Sequence, residues 1–254
     1  MFIGQGIVKT TGDFGSQGES PTHPRLLDWL AVEFVESDWD LKHLIHLITT
    51  SATYQQSSHA TPPSLKVDPQ NRYYSRGPRF RLQAEFIRDT ALSSSGLLLN
   101  QIGGPGVKPF QPDGLWNEVS LSGNVRFKQD TGANNYRRSM YTYWKRTGPT
   151  PVMIALDASK RDVCTVKRER TDSPSQSLIL LNGTQFVEAA RAFADQLIIE
   201  HGTENPVGLV NYAFRKLTSR YPKEKEAIIL LQLLSEQKAQ FKDAKETEKF
   251  LKVG

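Results

Sequence analysis

A single cysteine, Cys164, is present among 254 residues. That excludes an intrachain disulfide and a zinc cage built on several thiolates. No run of about 18 apolar residues occurs, so no membrane-spanning helix is expected. CxxCH is absent, so this chain does not itself attach a c-type haem, and no cofactor is expected in it. The turn Gly103-Gly104-Pro105-Gly106 lacks the Gly-Lys-Ser/Thr ending of a phosphate loop. Residues 1–20, punctuated by Gly4, Gly6, Gly12, Gly15 and Gly18, have no apolar signal core. No complete catalytic motif is found anywhere. The net charge of +5 is mildly basic and favours acidic partners only weakly. Nucleic-acid binders concentrate more charge on one face, so nucleic acid is not an expected partner.

What the chain does contain is helical periodicity. The apolar fraction of 38% sits a little below the usual globular range, but its residues fall at helical spacing in long segments. After a loop over residues 1–20, Thr22-His23-Pro24 opens a helix carrying Leu26, Leu27, Leu30, Ala31 and Phe34. Ser37-Asp38 offers a second cap, followed by Leu41, Leu44, Ile45 and Ile48, and the pair reads as a helical hairpin. Residues 55–80 read as loop. A third helix is expected from about Gln83 to Leu98, with Phe86, Ile87, Ala91 and Leu98 inward. Residues 101–172 read as irregular, with turns at Pro112-Asp113-Gly114 and Ser122-Gly123-Asn124 and a short strand over Ser139–Trp144. Ser173-Pro174-Ser175-Gln176 is the sharpest helix start: a cap, a proline at the first position, and a glutamine that reaches back. Asn182-Gly183 stops that helix and Thr184 starts the next. Helices around Val210–Leu217 and after Pro222 complete the chain, and a Lys/Glu-rich tail with Phe241 and Phe250 follows Ser235. The expected fold class is therefore mainly α: one helical domain over 1–254, helical in 23–100 and 173–252, with a long irregular central segment and at most a few short strands.

Residues 136–182 organise the rest. They gather Arg137, Arg138, Lys145, Arg146, Arg161, Lys167, Arg168 and Arg170 among Tyr141, Tyr143 and Trp144, opposed only by Asp157, Asp162, Glu169 and Asp172. Guanidinium forks match carboxylate, sulfate or phosphate, and Arg168 and Arg170 precede a helix start whose free N–H groups favour an anion. The same forks also suit a structural role, pairing with Asp157, Asp162, Glu169 and Asp28 to pin the irregular segment to the helices. Both readings stand for the set Arg137, Arg138, Arg146, Asp157, Arg161, Arg168, Arg170 and Gln176. No metal site is expected. His43 and His46 share a helix side but lack further ligands, and surface histidines explain them as well. Cys164 lies between Arg161 and Lys167, without an identifiable histidine partner. The alternative is a hydrolase-type or redox-associated enzyme domain acting on polysaccharide or a related substrate, to which Asp28, Glu85 or Asp157 would supply acid/base groups only if a pocket joined two of them. Asn182-Gly183-Thr184 fits a glycosylation sequon but serves as a helix stop and restart. Trp29, Trp39, Trp116 and Trp144 are expected in or near the core.

Four ordered blocks carry a family likeness: HPRLLDWLAVEFVESDWDLKHLIHLITTSATYQQSS, DPQNRYYSRGPRFRLQAEFIRDTALSSSG, GGPGVKPFQPDGLWNEV and the block from Tyr136 to Ala194. Together they resemble the planctomycete-specific C-terminal domain of unknown function, family 1553. The resemblance implies a chain that follows a second domain of unknown function and often a cytochrome c-like haem module, behind an export signal. On that basis the sequence is expected to be a fragment of a larger extracytoplasmic protein. Its haem would lie only in upstream domains, and its partners would be the upstream domain and an anionic polymer. The family has no established activity, so the resemblance assigns no catalytic residue.

Overall fold

A computed structural model describes residues 2–118 and 126–241. The expected turn at Ser122-Gly123-Asn124 and the tail around Phe250 lie outside the described residues. The chain forms two compact units, residues 1–81 with 165–167, and residues 82–164 with 168–254. The fold is mainly α, with ten α-helices among the described residues and, in place of a sheet, two isolated parallel bridges.

In the first unit, α1 (Pro24–Glu36) and α2 (Leu41–Thr50) form the expected hairpin. The turn between them holds Asp38 and Trp39 at φ 54° and 61°. The Trp39 N–H reaches back to Phe34 O at 2.9 Å, and the two rings meet edge to face. Asp40 caps α2 by accepting the Lys42 and His43 N–H groups at 2.8 and 3.1 Å, which also hold its carboxyl below the usual range. His43 Nε2 meets Glu33 at 2.7 Å, linking the helices. Within 55–80, expected as loop, α3 (Pro62–Val67) is helical and opens on a Thr61/Ser64 capping box. One and a half turns are too few to show a hydrophobic period, but a Thr-Pro-Pro-Ser start suffices locally. Asp68 then turns the chain. Burial alone would raise its pKa, but the N–H groups of Tyr73 and Arg72, each 2.9 Å from the carboxylate, bring it below the usual range. Trp29 and Trp39 are exposed, contrary to expectation. The hairpin buries only part of each helix, so its outer apolar residues face water.

The second unit is built on α4 (Ala84–Ser94), α6 (Pro151–Ala155), α7 (Pro174–Asn182) and α8 (Thr184–His201). Ala84, Met153, Leu156, Ala158 and Phe186 form its core, with Ile87, Ala91, Trp144, Val152 and Ile179 packed against them. Proline occupies the first turn of both α6 and α7. Gly183 joins α7 to α8, and a Cβ there would sit 2.6 Å from Ile179 O, so the tight junction requires glycine. α4 ends four residues earlier than the expected Leu98. Gly96 at φ 71° breaks it, and the Leu97 and Leu98 N–H groups both fold back onto Leu92 O. The expected strand at Ser139–Trp144 is instead a 3-10 turn, Ser139–Tyr141. Val107 bridges to this stretch, giving its N–H to Tyr141 O at 2.8 Å and accepting from Tyr143 at 2.7 Å. A short α5 (Leu115–Glu118) precedes that region.

α9 (Pro206–Thr218) and α10 (Glu224–Gln240) extend from α8. At the start of α10, Arg220 grips Glu226 through both Nη atoms at 2.8 Å, and the Lys223 N–H adds a third bond at 2.8 Å. The Arg220 fork first, then the Lys223 N–H, lowers the Glu226 carboxyl to about 2, from 4.5. A carboxylate depressed in the folded state stabilises above its unfolded pKa, and the contribution is lost as pH falls through the folded value. A ¹³C titration of the Glu226 side chain should therefore show a midpoint near 2. A midpoint near 4.5 would mean that the fork is open in solution.

Candidate functional site

Arg88 occupies a core position of α4 and is 4% exposed. Its Nε donates to Gln185 Oε1 at 2.8 Å and its Nη2 to Asn135 O at 2.7 Å. Its Nη1 donates to Arg137 O at 2.9 Å and Ser139 Oγ at 3.2 Å. Burial pulls its pKa down to about 10, against the opposing pull of Asp89 and Glu188, so it remains charged at neutral pH. Arg137, 2% exposed, continues the pattern. Its Nη1 donates to Pro105 O at 2.9 Å, and its Nη2 to Gln101 O at 3.2 Å and to Gly103 O. The guanidinium lies 4.1 Å from the Tyr141 ring centroid. Tyr136 Oη donates to Glu188 at 2.5 Å. These side chains supply to coil carbonyls what a sheet ladder supplies to strands.

The remaining candidates do not converge on one point. Arg168 Nη1 meets Glu85 at 2.7 Å, and Arg138 Nε lies 3.8 Å from Asp89. Arg161 stacks over Trp144 at 4.9 Å, while Arg146 and Arg170 are exposed. Asp157 accepts the Thr171 N–H at 2.6 Å and the Thr171 hydroxyl at 2.9 Å. Gln176, buried, donates to Ala155 O at 3.0 Å and Thr171 Oγ1 at 2.9 Å, while its Oε1 receives the Ser173 N–H at 3.4 Å. Asp157, Thr171 and Gln176 thus fasten the coil before α7 to the end of α6. The acidic partners of Arg138 and Arg168 come from α4, where Glu85 and Asp89 stand one turn apart. Glu85 and Asp157 are therefore engaged by Arg168 and Thr171 respectively. Cys164 is exposed. Among the described residues no group of histidine, cysteine and carboxylate side chains is arranged for a metal.

A second cluster was not legible as a unit. Lys108 Nζ lies 5.8 Å from the Trp116 ring centroid and 5.4 Å from that of Tyr143, and Lys145 Nζ lies 4.7 Å from Trp116. Trp116 is buried, tilted against Tyr143 at 5.8 Å and edge-on to Phe127 at 5.2 Å. Tyr143 is 44% exposed. Among the described residues neither ammonium has a carboxylate within ion-pair distance, and the Trp116 Nε1–H, a buried donor, has no acceptor. Asp130 accepts the backbone N–H of Lys108 at 2.8 Å. Two positive charges thus share one aromatic platform, where low local polarity strengthens their pull on an anion. Lys145 belongs to the basic block; Lys108 is brought beside it by the Val107 bridge, which leaves no trace in composition. A small cavity of about 20 Å³, lined by Arg88, Thr142, Thr150 and Gln185 among others, has room for a water-sized guest.

A family model described as "Protein of unknown function (DUF1553)" matches residues 1–234. Neither the curated proteins nor the solved structures include a match to the chain.

Proposed function

The chain belongs to the DUF1553 family, and from that premise we propose that it is a non-catalytic binding module for an anionic polymer. The contact is the Lys108/Lys145 pair on the Trp116–Tyr143 platform. In this reading it is an accessory part of a larger exported protein and also docks against an upstream domain of that protein. The observation that carries the anionic reading is the two ammonium groups that, among the described residues, have no carboxylate partner on one aromatic surface. Lysines are flexible point charges that accept sulfate or carboxylate in many orientations, as a repeating polymer demands. Of the arginines in the basic block, Arg137 is buried and Arg168 is paired with Glu85, so these two contribute little to such a contact.

The test is calorimetric binding of dextran sulfate and of polygalacturonate at low and moderate salt. Lys108→Gln/Lys145→Gln should lower the affinity by about tenfold or more, since each lost charge-assisted contact is worth about 1 kcal/mol or more. Arg168→Gln, which removes a guanidinium already paired with Glu85, should change it by less than about threefold. Equal binding by the wild type and the double lysine variant would remove this reading. Tighter binding to a DNA oligonucleotide than to either polymer would replace it with nucleic-acid recognition.

A further inference from the structure

We propose that an open concavity beside the C-terminal half of α4 is a binding site for a neutral saccharide, separate from the lysine cluster and not dependent on it. The concavity measures about 630 Å³, within the range of small-ligand sites. Asp89 and Arg138 line it, together with Phe86, Thr90, Ser93 and Asn100.

The charge pattern selects the ligand class. Asp89 stands between two guanidiniums: Arg138 Nε lies 3.8 Å from its Oδ2, and the buried Arg88 Nη1 lies 3.8 Å from its Oδ1. Glu188 acts on Arg88 as well, so two carboxylates oppose two guanidiniums and the group is close to neutral. An anion would meet the Asp89 carboxylate, and a cation the Arg138 guanidinium. A carboxylate only accepts hydrogen bonds and a guanidinium only donates them. A ligand that satisfies both at short range must donate and accept from adjacent atoms, as the vicinal hydroxyls of a sugar ring do. Thr90, Ser93 and Asn100 can take either role with further hydroxyls. Phe86, 38% exposed, offers an apolar wall to the C–H face of a pyranose.

Asp89 and the backbone around the site are also held in place. Asp89 stands on a helix, and its Oδ1 is fixed by the Ser139 N–H at 2.7 Å. Arg138 follows Arg137, whose side chain is anchored in the coil by three carbonyls. Near the rim, the Leu99 N–H is bonded to Tyr136 O at 2.9 Å. Groups held in place before binding lose less freedom on binding, which is what a weakly polar ligand in competition with water needs.

The experiment is amide chemical-shift mapping on the full chain with maltohexaose, cellohexaose and xylohexaose at millimolar concentration, alongside tetraglycine. At least one oligosaccharide should shift the amides of Thr90, Ser93, Asn100 and Arg138 with saturation. Arg138→Gln should weaken that binding tenfold or more. Ser93→Trp, an exposed helical position where the new ring fills the concavity without touching the core, should abolish it. Lys108→Gln/Lys145→Gln should leave it unchanged, which separates this site from the anionic one. The proposal is overturned if no oligosaccharide shifts these amides, if Ser93→Trp binds as well as the wild type, or if tetraglycine alone produces the shifts.

Discussion

Arg88→Met should destabilise the second unit by about 3–5 kcal/mol, the cost of breaking a buried charged network by removing one partner. The guanidinium is the common donor to Asn135 O, Arg137 O, Ser139 Oγ and Gln185 Oε1. Methionine fills similar volume but donates nothing. Two main-chain carbonyls and an amide oxygen then lose a donor in a place that water enters only by opening the coil, and each buried acceptor left unpaired costs about 1–3 kcal/mol. The gain from no longer burying a charge offsets part of this, which sets the upper bound. Arg88→Lys should recover little, because one ammonium on a flexible stem cannot serve acceptors in three directions. Urea unfolding followed by circular dichroism reads the effect as a fall in the midpoint at constant slope. A loss below about 1 kcal/mol would mean that these carbonyls are hydrated and the network adds nothing to the fold.

Arg137→Met comes next, at about 2–4 kcal/mol, with a different distribution of effect. Here the side chain is the hub of a loop. Gln101, Gly103 and Pro105 turn three carbonyls toward it, and Gly103 and Gly104 hold φ at 80° and 87° to do so. Tyr141 closes the arrangement: its ring lies under the guanidinium and its Oη accepts the Gly103 N–H at 2.7 Å. Without the charge the glycine turn loses its reason to wrap, and residues 100–106 should become the first site of proteolytic cleavage while α8 stays folded. Cleavage elsewhere first, or a resistant loop, would show that the turn is held by its own backbone.

The helical half of this architecture is readable because its signals are local. Ser173, Pro174 and Gln176 declare the start of α7, and Asn182-Gly183 declares its end within the space of a single turn. The short helix at Pro62–Val67 escapes notice because it is shorter than the period that would reveal it. Arg88 escapes for another reason. It stands among Ala84, Ile87, Ala91 and Leu92 on a face that pattern alone assigns to the core, yet its charge suggests solvent. The partners that pay for its burial lie 47 to 97 residues away. Order in the central coil comes from side chains reaching main-chain carbonyls, an arrangement with no repeat in the sequence. Separation along the chain likewise hides Lys108 from Lys145, and Asp89 from Arg138. The basic block is therefore visible as a composition, while the burial of Arg137, the pairing of Arg168 and the approach of Lys108 to Lys145 are properties of the fold.

The central claim is that arginines from within the chain make an irregular segment into fixed architecture, and amide hydrogen exchange tests it most directly. The amides of Leu99, Val107 and Tyr143 lie outside every helix but bond to Tyr136 O, Tyr141 O and Val107 O. In the wild type they should exchange as slowly as the interior amides of α4, and in Arg88→Met they should lose protection together. Fast exchange at these three positions in the wild type, while α4 remains protected, would contradict it.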